Sequence, residues 1–180
     1  MNTVFMPKEE LAAYEMRRDI EYRHIPEESK QIFVDYAWEK GRETAVRIAK
    51  KYPGKIPSEI AAALNLKVTE ARVGNKVYSE YYSNRKQIVL NPDSIQKGFY
   101  EENEGHLKTH DYEVLKQLFI AHELFHHLEC YDPEVGITFR EKKVCVFKIG
   151  PIQLKSGLRC LSEIAAHSFT KQLLNIDDLY

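Results

Sequence analysis

Between residues 28 and 50 the apolar side chains Ile32, Phe33, Tyr36, Ala37, Val46 and Ile48 recur at mostly helical spacing. The spacing predicts a helix from about Glu28 to Lys50. Before it, Lys8 to His24 is charged and helical in composition, and Pro26 interrupts it. Pro53-Gly54 ends the longer helix, because proline lacks an amide proton and glycine tolerates the turn. Pro57-Ser58-Glu59 then opens a short helix, Ile60 to Leu64. The period changes after that. Val68 to Arg72, Lys76 to Tyr82 and Gln87 to Leu90 read as short strands, with Gly74-Asn75 and Ser83-Asn84 as turns. Asn91-Pro92-Asp93 stops the last strand and starts a helix near Ser94, while the polar run Glu101 to His110 reads as a loop.

The strongest helical signal runs from about Asp111 to Glu129. Asp111 suits its N-cap, and Leu115, Leu118, Phe119, Leu124, Phe125 and Leu128 supply apolar faces. Pro133 and Gly136 mark its exit. The β-branched stretch Ile137 to Ile149 predicts a strand or hairpin, broken by Gly150-Pro151. A last helix spans about Leu161 to Leu174, with Ser162 or a neighbour at its cap. Helices, a small antiparallel sheet and two further helices make an α+β chain. Residues 1–50 form a helical N-terminal segment, either separate from the domain at 51–180 or integral to it.

Composition narrows the class. The 180 residues carry 26 basic and 27 acidic side chains, a formal charge of −1, which disfavours a globally basic nucleic-acid binder. No apolar run approaches the roughly 18 residues that span a bilayer. The opening Met1 to Glu10 lacks the basic-then-apolar pattern of a signal peptide. Cys130, Cys145 and Cys160 are too few and too odd for a disulfide framework. These features predict a cytoplasmic protein in a reducing compartment, its three thiols acting as small buried hydrophobes.

The chemistry sits inside the strongest helix, in His122-Glu123-Leu124-Phe125-His126. Residues four apart share one helical face, so both imidazoles can reach one Zn²⁺. Glu123 projects beside that face, placed to take a proton from a water that zinc acidifies to a pKa of about 7. That is the logic of the H-E-x-x-H motif of zinc peptidases. The flanking Leu118, Phe119, Ile120 and Ala121 predict partial burial, and buried polar groups need partners. One ion supplies a partner to both histidines.

A catalytic zinc takes a third protein ligand and keeps one position open. Downstream candidates are Glu129, Asp132, Glu134, Glu141, Glu163 and His167. Glu129 lies one turn beyond His126 on the same helix, too close to complete a tetrahedron with both histidines. A ligand from a second helix is easier. Glu163 lies there beside Ala165 and Ala166, small residues that let helices approach. His167, one turn further, is a fourth contact or a group that orients a ligand.

Ala121 to His127, followed by Leu161-Ser162-Glu163-Ile164-Ala165-Ala166-His167-Ser168-Phe169-Thr170-Lys171-Gln172-Leu173-Leu174, resembles the ImmA/IrrE family of zinc metallopeptidases. That family pairs A-H-E-x-x-H with a downstream E-x-x-A-N-x-F-A-x-x-L-L. Glu163, Ala166, Phe169, Leu173 and Leu174 fall at matching offsets. Ile56 to Val68 is similar to the family's opening helix and first strand, and Gln87 to Pro92 to the strand before its catalytic helix. The likeness covers about residues 42–180 and is loose outside the two motifs. His167 replaces the family's usual asparagine, and Leu124 the usual glycine.

The resemblance implies a zincin-like metallopeptidase domain with His122, His126 and Glu163 as zinc ligands and Glu123 as general base. In place of the asparagine amide, His167 would orient His122 or bind the metal itself. The implied partner is a protein or peptide substrate, a helix-turn-helix repressor among them, with no direct nucleic acid or membrane contact. The rival reading is a metal-stabilised regulatory or interaction module without catalysis. Around the motif, His106 and His110 read as surface groups or, facing the cleft, oxyanion stabilisers, and His127 as a surface or orienting group. Tyr78, Tyr81 and Tyr82 read as core or cross-strand packing, or as the lining of a strand edge that receives substrate, and Lys142, Lys143, Lys148, Lys155 and Arg159 as solvated.

Overall fold

The computed structural model describes residues 6–74, 77–99, 101, 111–136 and 142–176. The chain is α+β. Its elements are α1 (Lys8–Arg18), α2 (Glu27–Lys51), α3 (Pro57–Ala63), β1 (Lys67–Glu70), β2 (Ser79–Tyr82), β3 (Gln87–Leu90), α4 (Tyr112–Tyr131), β4 (Lys143–Ile149), β5 (Ile152–Gly157) and α5 (Arg159–Leu174). A 3₁₀ turn at Tyr22–His24 follows α1, and a π-helical turn at Ser94–Phe99 takes the place of the helix expected near Ser94. The expected loop histidines His106 and His110, and the candidate Glu141, lie outside the described residues. Of the three thiols expected to be buried only Cys160 is; Cys130 and Cys145 are exposed.

Helix α5 is the axis of the molecule. Cys160, Leu161, Ser162, Ile164 to Phe169 and Thr170 are all buried, so it is enclosed on most faces. On one side, α2 runs along it, and the closest approach is at Gly41. A Cβ placed there would lie 2.2 Å from the Ala165 carbonyl oxygen, so only glycine fits. Ala165 therefore serves the contact with α2. The stripe of α2 turned inward is Val34, Ala37, Gly41, Thr44, Ala45 and Ile48. The expected core positions Ile32 and Val46 are exposed instead. Helix α1 also packs on α5, and Asp19 beyond its end accepts from the Cys160 amide at 2.8 Å. This tertiary bond caps α5 two residues earlier than expected. Ser162 consequently lies within the helix and is not its cap.

On the other side of α5 lies α4, capped by Asp111, whose side chain accepts from the Glu113 amide at 2.9 Å. Beyond α4 sits a three-stranded sheet in the order β1-β3-β2. The sheet is mixed, not antiparallel as expected: β3 pairs parallel to β1 and antiparallel to β2. Burial explains the order. Ile88, Val89 and Leu90 are buried, whereas β1 and β2 are half-exposed, so the most apolar strand takes the centre. The second sheet is the β4–β5 hairpin. Gly150, at φ +55°, turns the chain here, so Gly150-Pro151 joins two strands where a break was expected.

Candidate metal centre

The site forms where α4 crosses α5. One turn of α4 sets His122 and His126 on the face toward α5, and α5 returns Glu163 between them. His122 Nε2 lies 3.2 Å from His126 Nε2 and 3.2 Å from Glu163 Oε2. His126 Nε2 lies 3.7 Å from Glu163 Oε1. Four ligands on a tetrahedral ion with bonds of 2.0–2.1 Å stand about 3.3 Å apart. The two nitrogens and the Glu163 carboxylate thus lie near that spacing, with the His126–Glu163 contact wider than the other two. The donor set fits, and His122, His126 and Glu163 could hold a metal ion.

Electrostatics reinforce the grouping. Burial pulls the His126 imidazole down, but the Glu129 and Glu163 carboxylates more than offset this and hold it well above its ordinary value. Burial pushes Glu163 up, yet its contacts with His122 and His126 hold it well below the usual carboxyl range. The carboxylates around His126 thus favour positive charge at this point.

A second layer steadies His126. Ser162 donates its single hydroxyl proton to Glu129 Oε2 at 2.5 Å, and the same Oγ lies 3.1 Å from His126 Nδ1. With its proton committed, Ser162 meets Nδ1 as an acceptor. His126 then carries hydrogen on Nδ1 and turns Nε2 toward the other two ligand atoms. Glu129 is 3.7 Å from Nδ1, behind the imidazole, so it supports His126 from the rear and does not join the trio.

Glu123 is buried and faces the strand side of the cleft, where its Oε1 accepts from Ser79 Oγ of β2 at 2.7 Å. His167 is buried against His122, with ring centroids 4.8 Å apart at 65°. Burial first, then the charge of His122, holds it well below the ordinary imidazole value, which makes it a neutral neighbour. His127 faces away: its Nδ1 pairs with the Tyr81 hydroxyl at 2.9 Å, locking α4 to β2. Burial and the Lys86 charge lower its basicity. Asp132 and Glu134 are elsewhere, held by Arg47 of α2 at 2.7 Å and 3.5 Å.

The trio opens on a cleft of about 800 Å³. Its walls include Tyr78, Ser79, Glu80 and Tyr81 of the β2 side, Glu123 and Cys130 of α4, and Arg159 and Thr170 of α5. Tyr78 packs on Phe99 and Phe119 and so serves core and wall together. Glu15 and Arg18 of α1 close one end. Glu15 is buried, and burial together with the Glu163 charge raises its carboxyl above the usual range. Sequence reasoning did not anticipate Glu15, Ser79 or the Ser162–Glu129 pair. The only local signal was an amphipathic first helix with a carboxylate on its apolar side.

Among the described residues, no helix is long and apolar enough to cross a membrane. Compared with known proteins, the chain matches no family model, no curated protein and no solved structure.

Proposed function

We propose that this chain is a zinc-dependent metalloendopeptidase of the ImmA/IrrE type, cleaving a peptide bond in a protein substrate. The observation that carries the reading is the grouping of His122, His126 and Glu163 at the cleft, with ligand-atom contacts of 3.2, 3.2 and 3.7 Å, close to the spacing of ligands around a tetrahedral ion. Zinc, when bound, supplies Lewis acidity toward a water and an amide carbonyl. The chain supplies the rest. Ser79 fixes Glu123 through Oε1, which leaves Oε2 to take a proton from the attacking water and return it to the departing amine. Ser162 and Glu129 keep the His126 ring in register. The outer edge of β2 has no partner strand among the described residues and borders the cleft, so an extended peptide can lie beside it.

The resemblance to the family adds a substrate class, a helix-turn-helix repressor being the first protein to try. Three thiols without a disulfide fit work in the cytoplasm. The test is a quenched-fluorescence peptide library with untagged, zinc-loaded protein. Glu123→Gln should keep its zinc and lose cleavage by at least about a hundredfold, since a general base contributes 10²–10⁴. Unchanged cleavage would remove Glu123 from the chemistry. Stoichiometric zinc with no cleavage of any peptide would leave the metal as a structural element of an interaction module.

A further inference from the structure

The β4–β5 hairpin has two unlike faces. Cross-strand partners share a face, so Val144↔Ser156, Phe147↔Leu154 and Ile149↔Ile152 line one side. Lys143↔Gly157, Cys145↔Lys155 and Lys148↔Gln153 line the other. On the first side Val144 is buried in the core at the hairpin's base. Its continuation is not covered: Phe147 is 56% exposed, Ile149 62%, Ile152 70% and Leu154 61%. Four large apolar side chains in two adjacent rows therefore extend the core beyond the edge of the body. A contiguous patch of this kind marks an interaction surface, and a two-stranded hairpin by itself is marginal in water.

Charge selects what covers it. From Lys142 to Ser162 there are five cations (Lys142, Lys143, Lys148, Lys155 and Arg159) and no carboxylate. The rest of the chain holds all 27 acidic residues against 21 basic ones. The hairpin is a positive island on a negative body. Two hairpins would repel one another, which disfavours a second copy seated face to face. A bilayer receiving the tip would draw Lys148 and Gln153 to the same depth as the two apolar rows, at a cost a one-sided occupant avoids.

We propose that the Phe147, Ile149, Ile152 and Leu154 face is a docking surface for a protein segment that is amphipathic and acidic, such as a helix with an apolar stripe flanked by carboxylates. The segment completes the core layer that Val144 begins, while Lys143, Lys148 and Lys155 on the hairpin's other face act through the thin ribbon at longer range and favour carboxylates in the occupant. The hairpin leads through Leu158 into Arg159, which lines the cleft.

The test titrates the ¹⁵N-labelled full chain with a designed amphipathic helix bearing leucine on one face and glutamate on the other. A counterpart carries lysine in place of each glutamate. The acidic peptide should shift the amides of Phe147, Ile149, Ile152 and Leu154, bind about tenfold tighter than its lysine counterpart, and weaken as salt rises. Ile149→Ser with Ile152→Ser should weaken it at least about tenfold at an unchanged melting temperature, because exposed side chains contribute little to stability. Lys148→Glu with Lys155→Glu should reverse the preference between the peptides, a readout that survives a folding defect in the serine pair. Equal binding of the two peptides, shifts clustered elsewhere, binding of phosphatidylglycerol vesicles in place of the peptide, or a dimer abolished by the serine pair would each overturn the assignment.

Discussion

Gly41→Ala strikes the contact on which the site's geometry rests. The new methyl would lie 2.2 Å from the Ala165 carbonyl oxygen, 3.0 Å from its carbonyl carbon and 3.0 Å from the Phe169 amide nitrogen. All three atoms are backbone, so no side chain can swing aside. Relief requires α2 and α5 to separate by most of an ångström. Overpacking of this kind costs about 1–3 kcal/mol, and rigid neighbours on both sides place it at the upper end. Alanine's better helix propensity returns about 1 kcal/mol. The net loss is about 2 kcal/mol, which for a chain of this size lowers the melting temperature by about 4–8 °C. Because α5 carries Glu163, the same shift should weaken zinc binding. Scanning calorimetry and chelator competition on the full chain measure both effects. Gly98→Ala is the control: its Cβ would meet only Tyr78, at 3.7 Å, and should change stability by less than about 1 kcal/mol. A Gly41→Ala protein as stable as the parent would show that α2 does not press on α5 at this point.

Other outcomes follow from the same contacts. Glu163→Ala should weaken zinc binding far more than Glu129→Ala, with Ser162→Ala losing about 10–100-fold, as expected for a group that orients a ligand; chelator competition ranks them, and the reverse order of Glu163 and Glu129 would refute the assignment of the trio. In metal-free protein, the raised His126 contributes stability in full below its ordinary 6.5 and loses it as pH climbs through its higher folded value. The lowered Glu163 contributes in full above its ordinary 4.5 and loses it as pH falls through its lower folded value. The metal-free chain should therefore gain most from this pair between 4.5 and 6.5. Zinc must displace the His126 proton, so zinc's stabilisation should grow as pH rises above that window, and a flat or falling thermal shift would contradict the pairing. Asp19→Ala removes the tertiary cap of α5 and should cost about 1 kcal/mol by urea denaturation; no change would mean that the Cys160 amide finds another acceptor.

Periodicity located every helix that builds the site, because α4 and α5 are long and carry local signals such as Asp111 at the N-cap. The H-E-x-x-H spacing named His122 and His126, and the structure sets Glu163 beside them. What the sequence concealed is tertiary. Asp19 caps a helix 141 positions away, Ser79 reaches Glu123 across 44, and Glu15 closes the cleft from the first helix. Beyond the carboxylate on the apolar side of α1, none has a local pattern, since each depends on how α1 and β2 dock. The sheet order was hidden for a similar reason: neighbouring strands in sequence suggest a hairpin, but burial of Ile88, Val89 and Leu90 drives β3 between β1 and β2. Ile32 and Val46 fit a helical spacing and are still exposed, because the stripe that faces α5 is set by Gly41 and the alanines around it.

Elemental analysis of untagged protein decides whether α4 and α5 together grip an ion. About one zinc per chain should be found in the parent, nearly none in His122→Ala with His126→Ala, and a strongly reduced content in Glu163→Ala. A parent protein that stays metal-free in excess zinc, or a double alanine variant that retains it, would show that the three ligand atoms stand together for another reason.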